Sequence, residues 1–580
     1  MSSEQPELKD APAHVEHIAS YTPQDEKDHT LFHRKGSNDE FVDEKATAAA
    51  HGGYDAHEET KDEKVLGLRK TLFKMLVHAF LWLCFTAFLV VSIVLNKGGP
   101  ISVLAVAYGF TTLYLISAYS PAGTFARPAK ATWNAGASGV GKLPLRIRQA
   151  IGYGIFPIAM ILTAVIPEDD ANGTRVQRVI SLCGLLLFVL GLYATSRNRS
   201  AIHWPTVATG IGLQYLLGLF VIRTDFGRTI FSYIGRFMAT FLGFSSAGIG
   251  FIIGGDMMKA YGMTFLFGVL PAIIFFGAVI QVMYYYNIIQ TAIGAMGRVI
   301  VYFFEISGVE VIAACAAPFV GMSESAMLVG PYLEHATNAE IHQVLASGFA
   351  TISGSVYLGL IGFGASPTHL ITCCVMSVPC AIVTSKMRYP EEEVPLTRGK
   401  NVALERPEAE DSFVHALANG SILGMQLCIV ISAVLVGFIS LLACANYVLD
   451  WLFVFLGVTG ITIERLIGYC FYPIAWILGM PSQDVYAASK MMGVKYIINE
   501  FVGFAQAKDA GFFGATERGK MLATFACCSF ANPSSLGSQI SLLGKMAPSR
   551  ASDIARVAVS AIIAGALSTI MSACIAGIVL

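Results

Sequence analysis

Glu324 and Glu500 each lie inside a long apolar stretch, at residues 305–333 and 482–510. A carboxylate at membrane depth costs on the order of 3 kcal/mol even on permissive insertion scales, and such residues mark substrate or ion sites by default. The alternative is a structural charge held by a buried partner. Each stretch is interrupted at mid-length, by Gly321-Met322-Ser323-Glu324 in the first and by Asn499-Glu500-Phe501-Val502 in the second. Each is followed by an apolar segment with a polar break of its own, bearing Thr351, Ser353 and Ser355 in one case and Asn532, Ser534 and Ser535 in the other. Ionised carboxylates accept hydrogen bonds, and Asn and Ser add donors and acceptors, so these groups suit a hydroxyl-bearing solute.

The elements that must carry these groups follow from the solvent. Of 580 residues, 54% are hydrophobic and only 14% charged, with mean hydropathy +0.60. Soluble domains carry roughly 25% charged residues, so this composition excludes a soluble globular protein and implies a lipid bilayer. Spans of about 20 apolar residues are expected near 71–95, 100–118, 150–167, 178–195, 204–222, 263–287, 342–363, 367–385, 417–445, 518–545 and 553–580. The expected fold is all-α and polytopic, with about eleven transmembrane helices. Irregular backbone at membrane depth survives only where protein buries it or it lines a wet cavity. The stretches 305–333 and 482–510 therefore read as re-entrant hairpins whose half-helix ends offer N–H and C=O groups to a ligand. Hairpin followed by broken helix, twice, is the pattern of an internally repeated secondary transporter.

Charge distribution sets the topology. Residues 1–70 hold sixteen acidic and nine basic residues; they read as a disordered, acidic cytoplasmic tail without a cleavable signal. Residues 71–177 read as three additional N-terminal helices and 178–580 as the core. The loop 119–149 carries Arg127, Lys130, Lys142, Arg146 and Arg148 without an acid, which puts it inside. Glu168-Asp169-Asp170 and the glycosylation-type Asn172-Gly173-Thr174 then lie outside. With the tail inside, eleven crossings leave the C-terminus outside. Residues 224–260, with Arg223, Arg228, Arg236 and Asp256, read as an interfacial amphipathic helix plus a bend. Residues 388–416 form a charged connector. The twelve cysteines lie in apolar runs and suggest no disulfide framework.

The run from Gly493 to Phe504, GVKYIINEFVGF, resembles the signature (G/A)xKxxxNEFVA(Y/M/F) of the concentrative nucleoside transporter family, with Gly503 in place of Ala. Phe319 to Glu324 resembles the family's first hairpin tip, and Gly348–Val356 and Phe530–Ser535 resemble its two broken helices. The resemblance runs from about residue 178 to the end. The three extra helices fit a eukaryotic member, with a fungal one expected. The resemblance implies inverted repeats, a scaffold and a transport domain, a homotrimer in the plasma membrane, and a nucleoside as substrate. It implies nucleobase contacts from Met322, Ser323, Glu324 and Val356, and ribose contacts from Glu500, Phe530, Asn532 and Ser535. A carboxylate such as Glu500 can accept both vicinal ribose hydroxyls.

The departures from the family pattern carry information. Sodium-coupled members hold the cation with an Asn side chain, a Ser/Thr side chain and backbone carbonyls. The corresponding positions here are Ala317, Val320, Thr351 and Ile352, and Ala317 supplies no side-chain oxygen. Proton coupling is therefore expected over sodium. Desolvation disfavours the ionised form of a carboxyl, so Glu324 is expected to carry the coupling proton, with Glu500 as second choice. Met322 stands where the family has Gln. A thioether packs on a ring face but lacks paired hydrogen bonds, so purine nucleosides are expected over uridine and cytidine. A sodium-coupled symporter is the alternative, a membrane enzyme using Glu324 and Glu500 as acid and base a remote one, and a channel a third. No cofactor, resident metal or nucleic-acid partner is expected. Gly136–Lys142 mimics a phosphate loop but is followed by Leu143 rather than Ser or Thr. Glu334, His335, Glu340 and His342 read as a solvated turn rather than a metal site. Tyr284, Tyr285 and Tyr286 read as interfacial anchors, and Asp256 and Lys259 as structural.

Overall fold

The computed structural model describes residues 61–95, 104, 108–109, 111–112, 115, 145–170, 173–254, 265–304, 306–396, 410–512 and 515–580. Most of the acidic tail, most of the expected span at 100–118, the phosphate-loop-like run, Asn172, Asp256, Lys259 and residues 397–409 of the connector lie outside them. The chain divides into two compact units, residues 1–137 and 138–580.

In the smaller unit, α1 (Lys61–Leu95) begins ten residues ahead of the expected span. Lys, Glu, Leu and Arg between residues 61 and 70 are good helix formers, so the helix runs back into residues expected to be disordered tail. Trp82 donates from Nε1 to Thr112 Oγ1 at 2.9 Å and stacks on Tyr108.

The larger unit opens with α2 (Leu145–Val165), α3 (Arg175–Ala194) and α4 (Trp204–Gly218). The helix α2, part of the expected N-terminal addition 71–177, packs on α3 and α4, and Thr163 and the Tyr215 hydroxyl lie 2.5 Å apart. Next come α5 (Asp225–Gly243) and α6 (Ser245–Ile253), bent at Phe244. Together they are long and apolar enough to cross a membrane, and the bend expected within residues 224–260 falls at Phe244.

From residue 270 onward the chain runs through α7 (Leu270–Tyr285), α8 (Ile288–Phe304), α9 (Gly308–Val320), α10 (Met322–Met327), α11 (Asn338–Phe349), α12 (Gly354–Gly362) and α13 (Pro367–Arg388). Then follow α14 (Phe413–Val454), α15 (Ile463–Ile477), α16 (Ser482–Ile497), α17 (Glu500–Asp509), α18 (Glu517–Cys527), α19 (Pro533–Met546) and α20 (Ala551–Val579). The segments α8–α13 and α15–α20 repeat one order: amphipathic helix, hairpin, broken helix, span. A hairpin returns to the side it entered, and a broken helix plus a span returns the chain. The single crossing α14 between the two sets therefore inverts the second against the first.

Nine helices among the described residues are long and apolar enough to cross a membrane. The expected span at 518–545 is instead the pair α18 and α19, because Asn532 caps a new helix there. Two helices went unforeseen. In α8, Ile289, Ile293, Ile300 and Phe304 are buried at helical spacing, but the segment is short and interrupted by Gly294, Gly297 and Arg298. In α15, Glu464 and Arg465 break the apolar run. α14 extends past its expected 417–445 because no proline or capping glycine interrupts it before Gly457. The core takes in the broken helices and spans of the repeats together with the hairpin helix α9. The most apolar windows of α13 and of α11 with α12 are 89% and 94% buried, against 12% for α14, which faces outward.

Candidate functional site

Each hairpin tip is built by a helix that must stop and restart. In the first, Ser307 and Glu310 form a capping box that starts α9. Glu310 also pairs with Lys386, and Lys386 lies 3.6 Å from Glu391 of the connector, which fastens the base of the hairpin. At the tip, Gly321 adopts φ +110, a region closed to residues with a side chain. A Cβ there would stand 2.7 Å from Ser353 Cβ and 3.1 Å from Glu324 Oε2. The turn at Gly321 starts α10 and sets Glu324 in its first turn, where unpaired N–H groups favour a carboxylate. Met322, Ser323 and Glu324 keep partial exposure within the buried surroundings. No other side chain bonds the Glu324 carboxylate among the described residues. Met322 packs against Gly348, where a Cβ would come within 3.0 Å of Met322 Cβ.

The second tip is built differently. Asn499 caps α17 by accepting from Val502 N at 2.9 Å, which places Glu500 at the first helical position, 3% exposed. Asn532 does two jobs. Its Oδ1 accepts from Ser535 N at 3.0 Å and so starts α19, while its Nδ2 donates to Glu500 Oε2 at 2.9 Å. One amide thus joins the hairpin tip to the broken helix and fixes one oxygen of Glu500.

The two broken helices meet at their breaks. Phe530 N donates to Thr351 O at 3.2 Å, and Ser353 and Ser355 hydroxyls lie 2.6 Å apart beside it. Across the cleft, Gln539 Nε2 of α19 reaches Ser323 Oγ of α10 at 3.5 Å. The residues predicted for the site thus converge on two tips and two breaks. Val356, Phe530 and Ser535 are buried on the same elements.

Lys495 was legible only as a motif residue. It is fully buried; its Nζ donates to Ser529 Oγ at 2.5 Å and to Ala531 O at 3.2 Å, and sits 3.7 Å over the Tyr496 ring. It is also the opposite charge acting on Glu500. Gly503 permits this, because a Cβ there would come within 3.0 Å of Lys495 Cβ. Lys495 stands four residues before the cap Asn499, and Ala317 stands four before the cap Gly321, so the two occupy equivalent places in the repeats. Ala317, Val320, Thr351 and Ile352 are all buried. Ala317 O accepts from Gly321 N at 3.1 Å, and the Thr351 hydroxyl donates to Ser347 O at 3.5 Å.

Two groups set aside on sequence are placed otherwise. Glu334 and His335 are exposed, but Glu340 caps α11 through Thr337, and His342 is buried between the Ser385 and Ser560 hydroxyls at 2.7 and 3.1 Å. The turn is solvated only on its first side, because the helix begins within the cluster. Of the three tyrosines, Tyr286 is exposed but Tyr284 is buried. A rotation of about 100° per residue cannot keep three consecutive side chains on one surface.

Paired hairpin tips facing two broken helices define a membrane transporter built from repeats, and the comparisons with known proteins narrow the class. Three family models cover most of the larger unit: the Na+ dependent nucleoside transporter N-terminus over 183–256, nucleoside recognition over 266–367, and the Na+ dependent nucleoside transporter C-terminus over 369–577. Sodium/nucleoside cotransporter 1 of Oryctolagus cuniculus is 36% identical over 440 residues, covering 73% of this chain and 66% of the relative. Solute carrier family 28 member 3 of Rattus norvegicus is 36% identical over 69% of this chain and 58% of its own. Sodium/nucleoside cotransporter 2 of Rattus norvegicus is 32% identical over 87% and 77%. The chain thus spans somewhat less than two thirds of the first two relatives. Among solved structures, CNTnw in an inward-facing substrate-bound state matches with TM-score 0.65 and 29% identity, over 69% of this chain and 97% of that one. A CNTnw variant in an outward-facing state matches with TM-score 0.67 and 30% identity, over 70% and 99%. This chain belongs to the Na+-dependent, concentrative nucleoside transporter family.

Proposed function

We propose that this chain is a secondary active symporter that imports nucleosides across the plasma membrane, driven by a cation gradient. The observation that carries the reading is the Asn532–Glu500 pair at 2.9 Å. It holds one carboxylate oxygen and leaves the other acceptor capacity of Glu500 for the vicinal hydroxyls of a ribose, with Ser535 and Phe530 beside it. Met322, Ser323, Glu324 and Val356 hold the nucleobase, and the thioether of Met322 favours a purine ring. A buried site built for hydroxyls rejects analogues lacking them.

Sodium is the coupling ion that the relatives' names and the family models support. A specific observation favours a second reading, the proton. Ala317 is fully buried and brings no side-chain oxygen to the place where the resemblance puts one, while Glu324, in the first turn of the next helix α10, has no ion-pair partner among the described residues. The same reading takes residues 178–580 as the transport core, residues 71–177 as an N-terminal addition, a homotrimer as the assembly, and an inside N-terminus with an outside C-terminus.

Uptake of radiolabelled adenosine into proteoliposomes under imposed gradients tests the proposal. Accumulation of unchanged adenosine supports a transporter; chemical turnover supports an enzyme; downhill flux indifferent to either gradient supports a channel. A sodium gradient at constant pH that drives accumulation selects sodium, and a pH gradient without sodium selects the proton.

A further inference from the structure

Gln539 is a buried amide in a place the reading above leaves without a role. It lies on α19, seven residues after Asn532 and four after Ser535. Those spacings put the three side chains on one helical face. All three are buried, Gln539 at 2% exposure. The neighbouring Ser538 is exposed and returns its hydroxyl to Ser534 O, so the opposite side of α19 faces away. Ascending that face from the tip, Asn532 meets Glu500 at the ribose end, and about two turns later Gln539 meets Ser323 of α10.

The bond to Ser323 is 3.5 Å long, at the far limit of a hydrogen bond. An amide has two N–H donors and a carbonyl with two lone pairs, and this contact engages one donor weakly. The rest of its donor and acceptor capacity is not taken up by the Ser323 contact, so a ligand that engages it gains hydrogen bonds the apoprotein does not make. Met322, adjacent to Ser323, offers only a thioether. A side-chain amide, with its paired donor and acceptor, is offered to a base edge by Gln539 from the ribose half of the site. An amide is bidentate toward adenine, accepting from the exocyclic amine and donating to the ring nitrogen beside it.

We propose that Gln539 is the specificity-determining amide of this transporter, reading the amine-bearing edge of a purine nucleoside across the cleft from Ser323. The inference deepens the nucleoside-symport reading and rests on it. The discriminating probe is purine riboside, which is adenosine without its exocyclic amine.

The experiment measures competition by adenosine and by purine riboside against adenosine uptake in proteoliposomes, for the wild type, Gln539→Leu and Gln539→Leu combined with Met322→Gln. The wild type should prefer adenosine by about tenfold, the worth of one such hydrogen-bonded group. Gln539→Leu should bind the two equally, while Met322→Gln in that background should restore part of the preference from the other side of the cleft. If Gln539→Leu is not recovered folded, Gln539→Met, closer in shape to the native side chain, carries the same comparison by equilibrium binding to purified protein. An unchanged adenosine-to-purine-riboside ratio in the leucine or methionine variant overturns the role of Gln539 while leaving nucleoside transport standing. A wild type that accumulates no nucleoside overturns the underlying reading instead.

Discussion

Asn532 carries two separable functions, and substitutions can take them apart. Its Oδ1 caps α19 and its Nδ2 holds Glu500. Ser is about as good an N-cap as Asn, but a single hydroxyl that accepts from Ser535 N does not also reach Glu500. Asn532→Ser should therefore keep the helix start and lose the bond to the carboxylate. A hydrogen bond to a charged group is worth about 1.5–3 kcal/mol, which corresponds to roughly ten- to hundredfold in apparent affinity. Asn532→Ala should lose the same affinity and, in addition, about 1 kcal/mol of stability from the missing cap. Concentration-dependent adenosine uptake gives the first quantity and thermal unfolding in detergent gives the second. 2′-Deoxyadenosine adds a control: the wild type should discriminate against it, and Asn532→Ser should discriminate less, because the carboxylate that reads the hydroxyl is no longer oriented. The reasoning fails if Asn532→Ser transports adenosine with wild-type apparent affinity, or if Asn532→Ala loses stability alone.

Gly321→Ala should abolish uptake, since the backbone at φ +110 costs a side-chain-bearing residue about 1–3 kcal/mol and the new Cβ meets Ser353 at 2.7 Å; uptake beside a fluorescence-detected folding control checks this. Lys495→Met should eliminate nucleoside binding, because Ser529 and Ala531 lose their donor and Glu500 loses its nearby cation; equilibrium binding of labelled adenosine reads it. Ala317→Asn should increase the sodium stimulation of uptake at fixed pH, by adding a side-chain oxygen at the position where the family resemblance puts a sodium ligand, and an unchanged sodium response would remove Ala317 from the coupling site.

The tips were legible in the sequence because they break two strong local rules at once. A carboxylate in an apolar run and a small or polar cluster at mid-length are both costly in a membrane, so Glu324 and Glu500 stood out before any coordinates. The broken helices were legible for the same reason at Thr351–Ser355 and Asn532–Ser535. What escaped notice obeys those rules or needs distance information. The helix α8 is amphipathic and interrupted by glycines, which resembles a loop when the template is a 20-residue apolar span. Glu340 looked like a solvated turn residue until its capping partner Thr337 set the start of α11. Gln539 is an ordinary polar residue in a helix rich in serine and glycine, and only the approach of Ser323 from 216 positions away in the chain distinguishes it. One sequence signal was available, since Asn532, Ser535 and Gln539 recur at helical spacing.

The two repeats share a frame and fill it in opposite ways. At the place four residues before the tip cap, the second half has Lys495, whose ammonium is tied to the break of its own broken helix. Glu500 thus has a covalently attached cation in its surroundings, although the two form no direct ion pair. The first half has Ala317 at that place, and Glu324 has no ion-pair partner among the described residues. Beyond the N–H groups at the start of α10, Glu324 on the proposed reading takes an exchangeable counter-charge from solution, sodium or a proton. On the proposed reading coupling belongs to Glu324 and ribose binding to Glu500, which predicts a split between two substitutions that look alike. Glu324→Gln should retain exchange of labelled for unlabelled nucleoside across liposomes while losing accumulation driven by a gradient. Glu500→Gln should lose both, because the neutral amide weakens the bonds to the ribose hydroxyls and leaves Lys495 without its carboxylate. Gradient-driven accumulation by Glu324→Gln at the wild-type level would move the exchangeable cation out of the first half and end the asymmetry argument.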